Sequence, residues 1–584
     1  MANHTKAVLE LKNISLRLSD QEDAPYLLRD VSVMYPRGHF GAIVGPSGCG
    51  KSTLLKSIVG LYEPQDGIAE WNGFNLDDED LHPTELGYVP QFSIFHENLT
   101  VRECVSNAVK LRTHARDRGD AREHIQKVLT DVGLEEIGDR KAKVLSGGQR
   151  RRLGLALELV SNPELLLCDE VTSGLDPKSE DDIVQLMRYL SEQDNRIVLS
   201  VTHSLRHLDL YDSVTVLYRG FLAYQGHPSF LLSYFGVQSA EDVYPALIQL
   251  QPEVWAGYWL ENRHQYLGER SEGAEATAVA VEDVAGDATS TPVRKTHKKV
   301  PGFLAQFFVQ FFRRWKLFFR DMSQVLLQTA LVLIFPFLVV IFAFDGLPDI
   351  QNMIMDRDAN VIEELMDKLK FTLQAFKVGS LVSNLAFLQV VLLTLMASNN
   401  SAREVAGERA IWEKEKLAGV SVLSYLASKA AYLFILVLIQ AGWMAAFVKH
   451  VCDLPGAFAD QALLLFLATT AMTTTCLAIS SWARTAEQSS LISIYLVGFQ
   501  VPLSGAILNM PDTLEMLTRP FIAAFWAWSG YVQTLQNTRF YDLVVQVAPT
   551  SLVGLEVSHW VLICHILVTL LLAFLGCSKG QWED

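Results

Sequence analysis

The stretch GPSGCGKST, residues 45–53, sets three glycines ahead of a lysine and a serine, after the apolar run FGAIV and before the helical pattern TLLKSIVGL. Glycines without Cβ let backbone amides wrap phosphate oxygens, and the helix that follows adds its positive N-terminus. Lys51 is placed to neutralise the β and γ phosphates of a nucleotide, and Ser52 to ligate magnesium. The candidate phosphate-binding set is therefore Gly45, Pro46, Ser47, Gly48, Cys49, Gly50, Lys51, Ser52 and Thr53. A second apolar run, ELLLCDE, ends in Asp169 and Glu170 and should bring two carboxylates to the edge of a sheet. Asp169 is expected to hold magnesium through its water shell, leaving Glu170 to orient or deprotonate an attacking water. A third stretch, LSGGQRRR at 145–152, joins Ser146, Gly147, Gly148 and Gln149 to three arginines. Its backbone amides can approach a charged ligand closely, although by itself it fits an ordinary turn before a helix equally well.

Such groups need strands and helices behind them, and the first 265 residues supply the pattern. Short β-branched runs such as GAIVG, RIVLSV and DSVTVLY alternate with helix-length polar and apolar periodicity. The rest of the 584-residue chain differs in kind. Residues 266–301 are rich in Ala, Gly, Ser, Thr and acidic residues and read as a flexible linker. Residues 302–322 repeat aromatic residues at helical spacing beside basic ones, the pattern of an amphipathic connecting helix lying at the cytoplasmic face of a membrane, with a simple cytoplasmic extension of the first span as the alternative. Residues 323–584 carry six apolar blocks, at about 324–344, 378–398, 423–448, 462–483, 489–508 and 559–577. Each approaches the roughly 20 residues that cross a bilayer as a helix. Between the first two blocks, 345–377 either forms a small external helix or extends the second span outward.

Charge and cysteine content narrow the class. Basic residues flank the first span (RRWKLFFR) and occupy the loops AREVAGERAIWEKEK and ARTAEQ, which places those loops and the N-terminal domain in the cytoplasm. MANHTKAVLE has no apolar core, so no cleavable signal is expected and the first span directs insertion. The expected location is the cell membrane, the inner one in a Gram-negative organism, with both termini cytoplasmic. A net charge of −16 argues against a nucleic-acid partner. The seven cysteines, at 49, 104, 168, 452, 476, 564 and 577, show no metal-ligand spacing. Cys452 is expected on an outward loop, as a free or buried thiol, with an intermolecular disulfide as the alternative.

Taken together, GPSGCGKST, LSGGQ, LLLCDE, SGLD and a late histidine stand in the order found in ATP-binding cassette transporters, and the resemblance covers nearly the whole chain. It implies an α/β P-loop NTPase nucleotide-binding domain followed by an all-α transmembrane domain of six helices, of the ABC-2 or type V exporter kind. Gln91, in YVPQFSIF, matches the family's glutamine loop, which senses magnesium and the attacking water; Asp176 closes SGLD, and His203 matches the switch histidine that contacts the γ phosphate. ATP and Mg2+ are the implied ligands, with Ser52, Gln91 and Asp169 around the metal. In the family, ATP lies between one chain's phosphate loop and the LSGGQ of another, so dimerisation, most simply as a homodimer, is implied.

Cassette first and spans second resembles the G-subfamily half-transporters, the White-like group. LALELVSNPELLLCDE, GERAIWEKE and LSGAILNMP resemble that subfamily's signature helix, coupling segment and fifth span. LSGGQ in place of VSGGE, and Val171 where many members carry proline, suggest a bacterial G-like branch. Glu408, Arg409 and Glu415 are expected to transmit cassette closure, and Leu395, Met396, Phe499, Ala506 and Ile507 to line a cavity between the two sets of spans. Tyr26 is the candidate for stacking adenine, and His565 is read as a hydrogen-bonded packing residue. The resemblance implies export or flipping of a hydrophobic or amphipathic, lipid-like molecule. Export of a polysaccharide or other polymer, and an ATP-driven membrane regulator that moves no cargo, are the alternatives.

Overall fold

The computed structural model describes residues 8–17, 24–76, 81–114, 118–266, 300–344, 361–508, 510–548 and 550–580. Most of the expected linker, and residues 345–360 of the expected outward loop, lie outside them. The chain divides into two compact units, Met1–Gly302 with Lys414–Val420, and Phe303–Glu413 with Ser421–Asp584.

The described part of the first unit holds two sheets. Strands β1 (Val8–Arg17), β2 (Tyr26–Pro36), β4 (Asp66–Trp71) and β5 (Phe74–Asn75) form an antiparallel sheet in the order β2-β1-β4-β5. Strands β3 (Phe40–Val44), β6 (Leu86–Val89), β7 (Leu165–Asp169), β8 (Ile197–Val201), β9 (Ser213–Tyr218) and β10 (Phe221–Gly226) form the second, in the order β10-β9-β3-β8-β7-β6. All its neighbours run parallel except the hairpin pair β9–β10. Every residue of β3, β7 and β8 is buried, which is why FGAIV, LLLCD and IVLSV read as continuous apolar runs. The loops that leave the carboxyl ends of these strands carry the candidate chemistry, as expected where ligands bind at the carboxyl edge of a parallel sheet.

The second unit is helical. Among the described residues, five helical stretches are long and apolar enough to cross a membrane: Met322–Ala343, Thr372–Leu417, Val422–Cys452, Phe458–Trp482 and Leu555–Ser578. Six were expected. The block at 489–508 is instead the helix Ala486–Leu503, whose Glu487, Gln488 and Gln500 dilute its apolar character and whose course ends just after Pro502. The stretch before the second span extends it, since the helix runs unbroken from Val361 to Ser401. Cys452 is the last residue of a helix and is buried, not on a loop.

The connecting helix, Phe303–Arg320, buries its polar side and exposes its aromatic one. Gln306, Gln310 and Arg313 point inward while Leu304, Phe308, Phe312 and Phe319 are exposed. That is the reverse of a helix on a water-facing core, and it is what an interfacial helix presents to lipid. Gln306 Oε1 accepts from Ser421 N at 2.9 Å and Ser424 Oγ at 3.0 Å, and Arg314 Nη2 donates to Glu404 Oε2 at 2.8 Å, whereas the buried Gln310 carboxamide finds no hydrogen-bond partner among the described residues. Lys429 Nζ donates to the other oxygen of Glu404 at 3.0 Å and also pairs with Glu408.

Candidate nucleotide site

Between β3 and the helix Lys51–Ile58 the chain turns through glycines that no other residue can replace. A Cβ on Gly45 (φ +151°) would stand 2.2 Å from Leu217 O, and one on Gly50 (φ +103°) 2.6 Å from Leu27 O. The loop is thus packed directly against the backbones of β9 and β2. Lys51 Nζ donates to Gly45 O and Pro46 O, at 3.0 Å each, holding the ammonium over the turn formed by Pro46, Ser47, Gly48 and Cys49. Thr53 lies in the first turn of the following helix, and Ser52 Oγ donates to Asp169 Oδ1 at 2.8 Å.

Asp169 ends β7 and is nearly buried; burial pushes its carboxyl above the ordinary range, with the Ser52 hydroxyl pulling the other way. A divalent cation held between Ser52 and Asp169 would reverse that cost. Both are the hard oxygen donors magnesium takes, so these residues fit the ion. The next residue, Glu170, stands at φ +46°, in the left-handed region that side chains seldom adopt. Its carboxylate is gripped on both oxygens: Gln91 Nε2 donates to Oε2 at 2.8 Å, and His203 Nε2 lies 2.5 Å from Oε1. Phosphate loop, Asp169, Glu170, Gln91 and His203 are thereby brought into one constellation at the carboxyl ends of β3, β6, β7 and β8.

The signature residues are placed differently. Ser146 caps the helix Gly147–Leu159, accepting from Gln149 N at 3.4 Å while Gln149 Oε1 accepts from Ser146 N at 3.1 Å, a reciprocal capping box. A Cβ on Gly147 would meet Leu175, and one on Gly148 would meet Ser179. Asp176 caps the helix Pro177–Gln193 through Ser179 N at 3.1 Å and Ser179 Oγ at 2.6 Å, bonds that hold its carboxyl below the usual range. Within one chain, Asp176 therefore organises the turn beside the signature glycines.

Two site residues carry no motif of their own. Tyr88 hydrogen-bonds to Asp169 from the end of β6. Tyr244, in the short helix Val243–Ile248, directs its hydroxyl to His203 O at 3.5 Å and bonds the backbone of Gly45; burial pushes it up to about 12. No local sequence pattern marks either one as a site residue. Tyr26 does not offer a free ring: Arg17 and Arg29 lie over it at 4.4 and 5.3 Å, and its hydroxyl accepts from Arg17 at 2.6 Å.

The residues assigned to cargo and coupling divide. Leu395, Phe499 and Ile507 are exposed, but Met396 and Ala506 are packed inside the helical core of their own chain and do not face outward. Arg409 Nη2 donates to three carbonyls, Ser480 O, Ser481 O and Ala483 O at 3.1, 2.8 and 2.9 Å, a cation at a helix C-terminus. Glu408 accepts from Tyr425 at 2.9 Å. Both anchor the second unit. In the first unit, it is Lys414, one residue before the expected Glu415, that engages a carboxylate: its Nζ lies 2.8 Å from Glu158 Oε1, and Arg112 Nη1 donates to Glu158 Oε2 at 2.9 Å. His565 Nε2 lies 2.5 Å from Pro520 O, the hydrogen-bonded role expected of it.

Two family models match the chain, an ABC transporter model over residues 28–173 and an ABC-2 type transporter model over residues 305–530. Among curated proteins, the ABC transporter ATP-binding/permease protein Rv1747 of Mycobacterium tuberculosis is 26% identical over 549 residues, 91% of this chain and 58% of that protein. The chain thus spans under two thirds of that relative's length. The energy-coupling factor transporter ATP-binding protein EcfA1 of Mycoplasma mobile is 33% identical over 230 residues, 39% of this chain and 82% of that protein. A solved structure described as a dimeric, post-hydrolysis state of the ATP-binding cassette MJ0796 bound to ADP and Pi is 29% identical, with a TM-score of 0.35, over 38% of this chain and 98% of that one.

Proposed function

Because the chain belongs to the ABC transporter family, joining an ABC ATP-binding domain to an ABC-2 type membrane domain, we propose that it is an ATP-hydrolysing half-transporter. Two copies pair, as a homodimer, and use ATP to export or flip a hydrophobic or amphipathic, lipid-like molecule across the cell membrane, with the cassettes in the cytoplasm. The order of its domains and its signature helix support placing it near the G-subfamily half-transporters.

The observation that carries the catalytic part is the doubly held Glu170 carboxylate beside the Ser52–Asp169 pair. The phosphate loop and Lys51 hold the ATP phosphates, and Ser52, Asp169 and Gln91 hold Mg2+. When bound, Mg2+ supplies charge neutralisation on the transferring phosphoryl group. Glu170 keeps lone pairs beyond those engaged by Gln91 and His203, since a carboxylate offers about four acceptor sites. It accepts the proton of the water that attacks the γ phosphorus, while His203 fixes the carboxylate and reports the γ phosphate. Ser146, Gly147, Gly148 and Gln149 serve the nucleotide held by the other chain.

Lipid-like cargo is supported by the apolar, exposed Leu395, Phe499 and Ile507 and by the aromatic outer side of the connecting helix. The test has two arms. Lys51→Ala chains mixed with Ser146→Arg chains should regain ATPase activity, because each heterodimer assembles one intact composite site; heterodimers without activity would overturn the paired site. In reconstituted vesicles, ATPase activity should rise with amphipathic lipids. Stimulation by a soluble polymer alone would favour polymer export, and movement of neither would favour the regulator.

A further inference from the structure

The three arginines after the signature turn are the fourth to sixth residues of the helix Gly147–Leu159, near the end whose backbone amides already present positive charge. Their partners are of two kinds. Arg150 pairs with Glu97 at 2.7 Å and donates to Lys143 O at 3.1 Å. Arg152 reaches Asp182 at 3.1 Å and Val132 O at 3.3 Å. Those are solvent-screened pairs that fasten the surface, and such pairs contribute about 0–1 kcal/mol. Arg151 turns the other way and donates to two carbonyls of the catalytic loops, Gln91 O through Nη1 and Ser173 O through Nη2 at 3.4 Å.

Both acceptor residues also hold Glu170. The Gln91 side chain donates to its carboxylate at 2.8 Å, and Ser173 N donates to its carbonyl at 3.0 Å. The guanidinium fork thus closes a ring that runs from Arg151 through Gln91, Glu170 and Ser173 back to Arg151. Glu170 sits inside that ring at φ +46°, a backbone conformation that persists only where its surroundings over-determine it. The electrostatics agree with the geometry. Burial lowers the Arg151 guanidinium's hold on its proton, and the nearby Glu170 carboxylate pulls it back up.

We propose that Arg151 is a positioning residue for ATP hydrolysis, whose planar fork fixes the backbone on both sides of Glu170 and so sets where that carboxylate meets the attacking water. Lysine cannot replace the fork, because a single ammonium does not present two parallel donors to two carbonyls from separate loops. Glutamine keeps a donor but shortens the reach. None of the groups Arg151 touches belongs to the phosphate loop, so its loss should leave nucleotide affinity in place.

The proposal rests on Glu170 being the group that takes the water's proton, and the experiment separates the two. In the full-length protein, ATP hydrolysis is measured against ATP concentration for wild type, Arg151→Ala, Arg151→Lys, Glu170→Gln and the Glu170→Gln/Arg151→Ala double variant. Arg151→Ala should lower kcat about 10–100-fold, the scale on which small misplacements of a reacting group act, with KM for ATP within about threefold of wild type. Arg151→Lys, which preserves charge and guards against a folding failure in the alanine variant, should lie between the two. In the Glu170→Gln background, adding Arg151→Ala should cost less than about twofold, because residues acting as one unit are not additive. A full wild-type turnover in Glu170→Gln would sink the parent reading. If Glu170→Gln is inactive but Arg151→Ala keeps kcat within twofold, raises only KM, or costs as much in both backgrounds, Arg151 has no positioning role.

Discussion

The cassette unit and the membrane unit both hold charged groups inside the protein, but they hold them for opposite purposes. In the cassette, Glu170 and His203 meet at strand ends with side chains 14% and 41% accessible, so a ligand and water can reach them. In the membrane unit, Arg314, Glu404 and Lys429 meet with accessibilities of 11%, 5% and 5%, and each finds its complement in another protein group. An accessible, strained carboxylate with spare lone pairs can still take a proton, the role proposed for Glu170. A sealed, neutralised cluster fixes how helices pack, since charges this deep are stable only as pairs. On the proposed function, the same residue types carry catalysis in one unit and architecture in the other.

The difference is sharpest at Glu170. Substituting Glu170→Gln keeps the size and the hydrogen-bonding outline but removes the base, and steady-state hydrolysis should fall about 10²–10⁴-fold, the usual contribution of a general base. ATP binding should persist, and the paired, ATP-bound form should accumulate, as read by retained radiolabelled ATP and by particle mass. Normal turnover would erase the contrast between the two units.

The corresponding change in the membrane unit should leave chemistry alone and cost stability. Glu404→Ala strips Arg314 of its carboxylate and leaves Lys429 with Glu408 alone in a buried setting, and breaking such a cluster costs about 3–5 kcal/mol. The expected result is a large drop in the detergent-solubilised protein's unfolding midpoint, with the KM for ATP of the surviving folded fraction unchanged. Loss of ATP binding without loss of stability would mean that the cluster belongs to the catalytic apparatus.

Glu158 lies between these extremes, a buried carboxylate of the cassette with purely structural partners. Burial would raise its carboxyl, but Arg112 and Lys414 outweigh it and hold it below the ordinary value of 4.5. A depressed folded-state value means that its stabilisation is present above about pH 4.5 and is lost as pH falls toward and through the folded value. Glu158→Gln should therefore cost about 1.5–3 kcal/mol near pH 7, the worth of hydrogen bonds to a charged group, and progressively less in acid. Urea unfolding of both proteins between pH 3 and pH 7 reads the difference. A gap that widens in acid would reverse the sign and remove the assignment.

How much of this could be read from the amino-acid order depends on how far apart the partners lie. The phosphate loop is one contiguous turn, and Asp169 and Glu170 are neighbours, so both were legible. SGLD and the histidine gained meaning only as members of an ordered set. Tyr88, Tyr244 and Arg151 were not legible as site residues, because their roles arise from loops that meet only in the fold. In the membrane unit, hydropathy located the blocks but not their faces. Met396 reads as a cavity residue although it points into its own bundle, and the helix that carries the block at 489–508 begins earlier, at Ala486, and so takes in the polar Glu487 and Gln488. No local pattern announces the cluster around Glu404, whose arginine stands 90 residues earlier.

The smallest effect tests the comparison where the membrane unit is least charged. Gln328 Nε2 donates to Asn400 Oδ1 at 2.6 Å, Asn400 Nδ2 to Gln440 Oε1 at 2.8 Å, and Gln440 Nε2 to Gln328 Oε1 at 3.0 Å. Three buried carboxamides, 72, 40 and 112 residues apart in sequence, thus close a ring across three helices, each donating once and accepting once. In an apolar setting, leaving any one of them unmatched exposes two broken bonds, yet interhelical hydrogen bonds in membranes are individually modest because helices separated in lipid find other partners. A double-mutant cycle with Gln328→Leu and Gln440→Leu should give a coupling of about 0.6–1.7 kcal/mol in stability. ATPase activity of the folded protein should be unchanged, as expected of a group that orders helices without touching the nucleotide. A coupling near zero would reduce the ring to three independent contacts, and a loss of turnover at full stability would make it part of the moving machinery and dissolve the division between an architectural membrane unit and a chemical cassette.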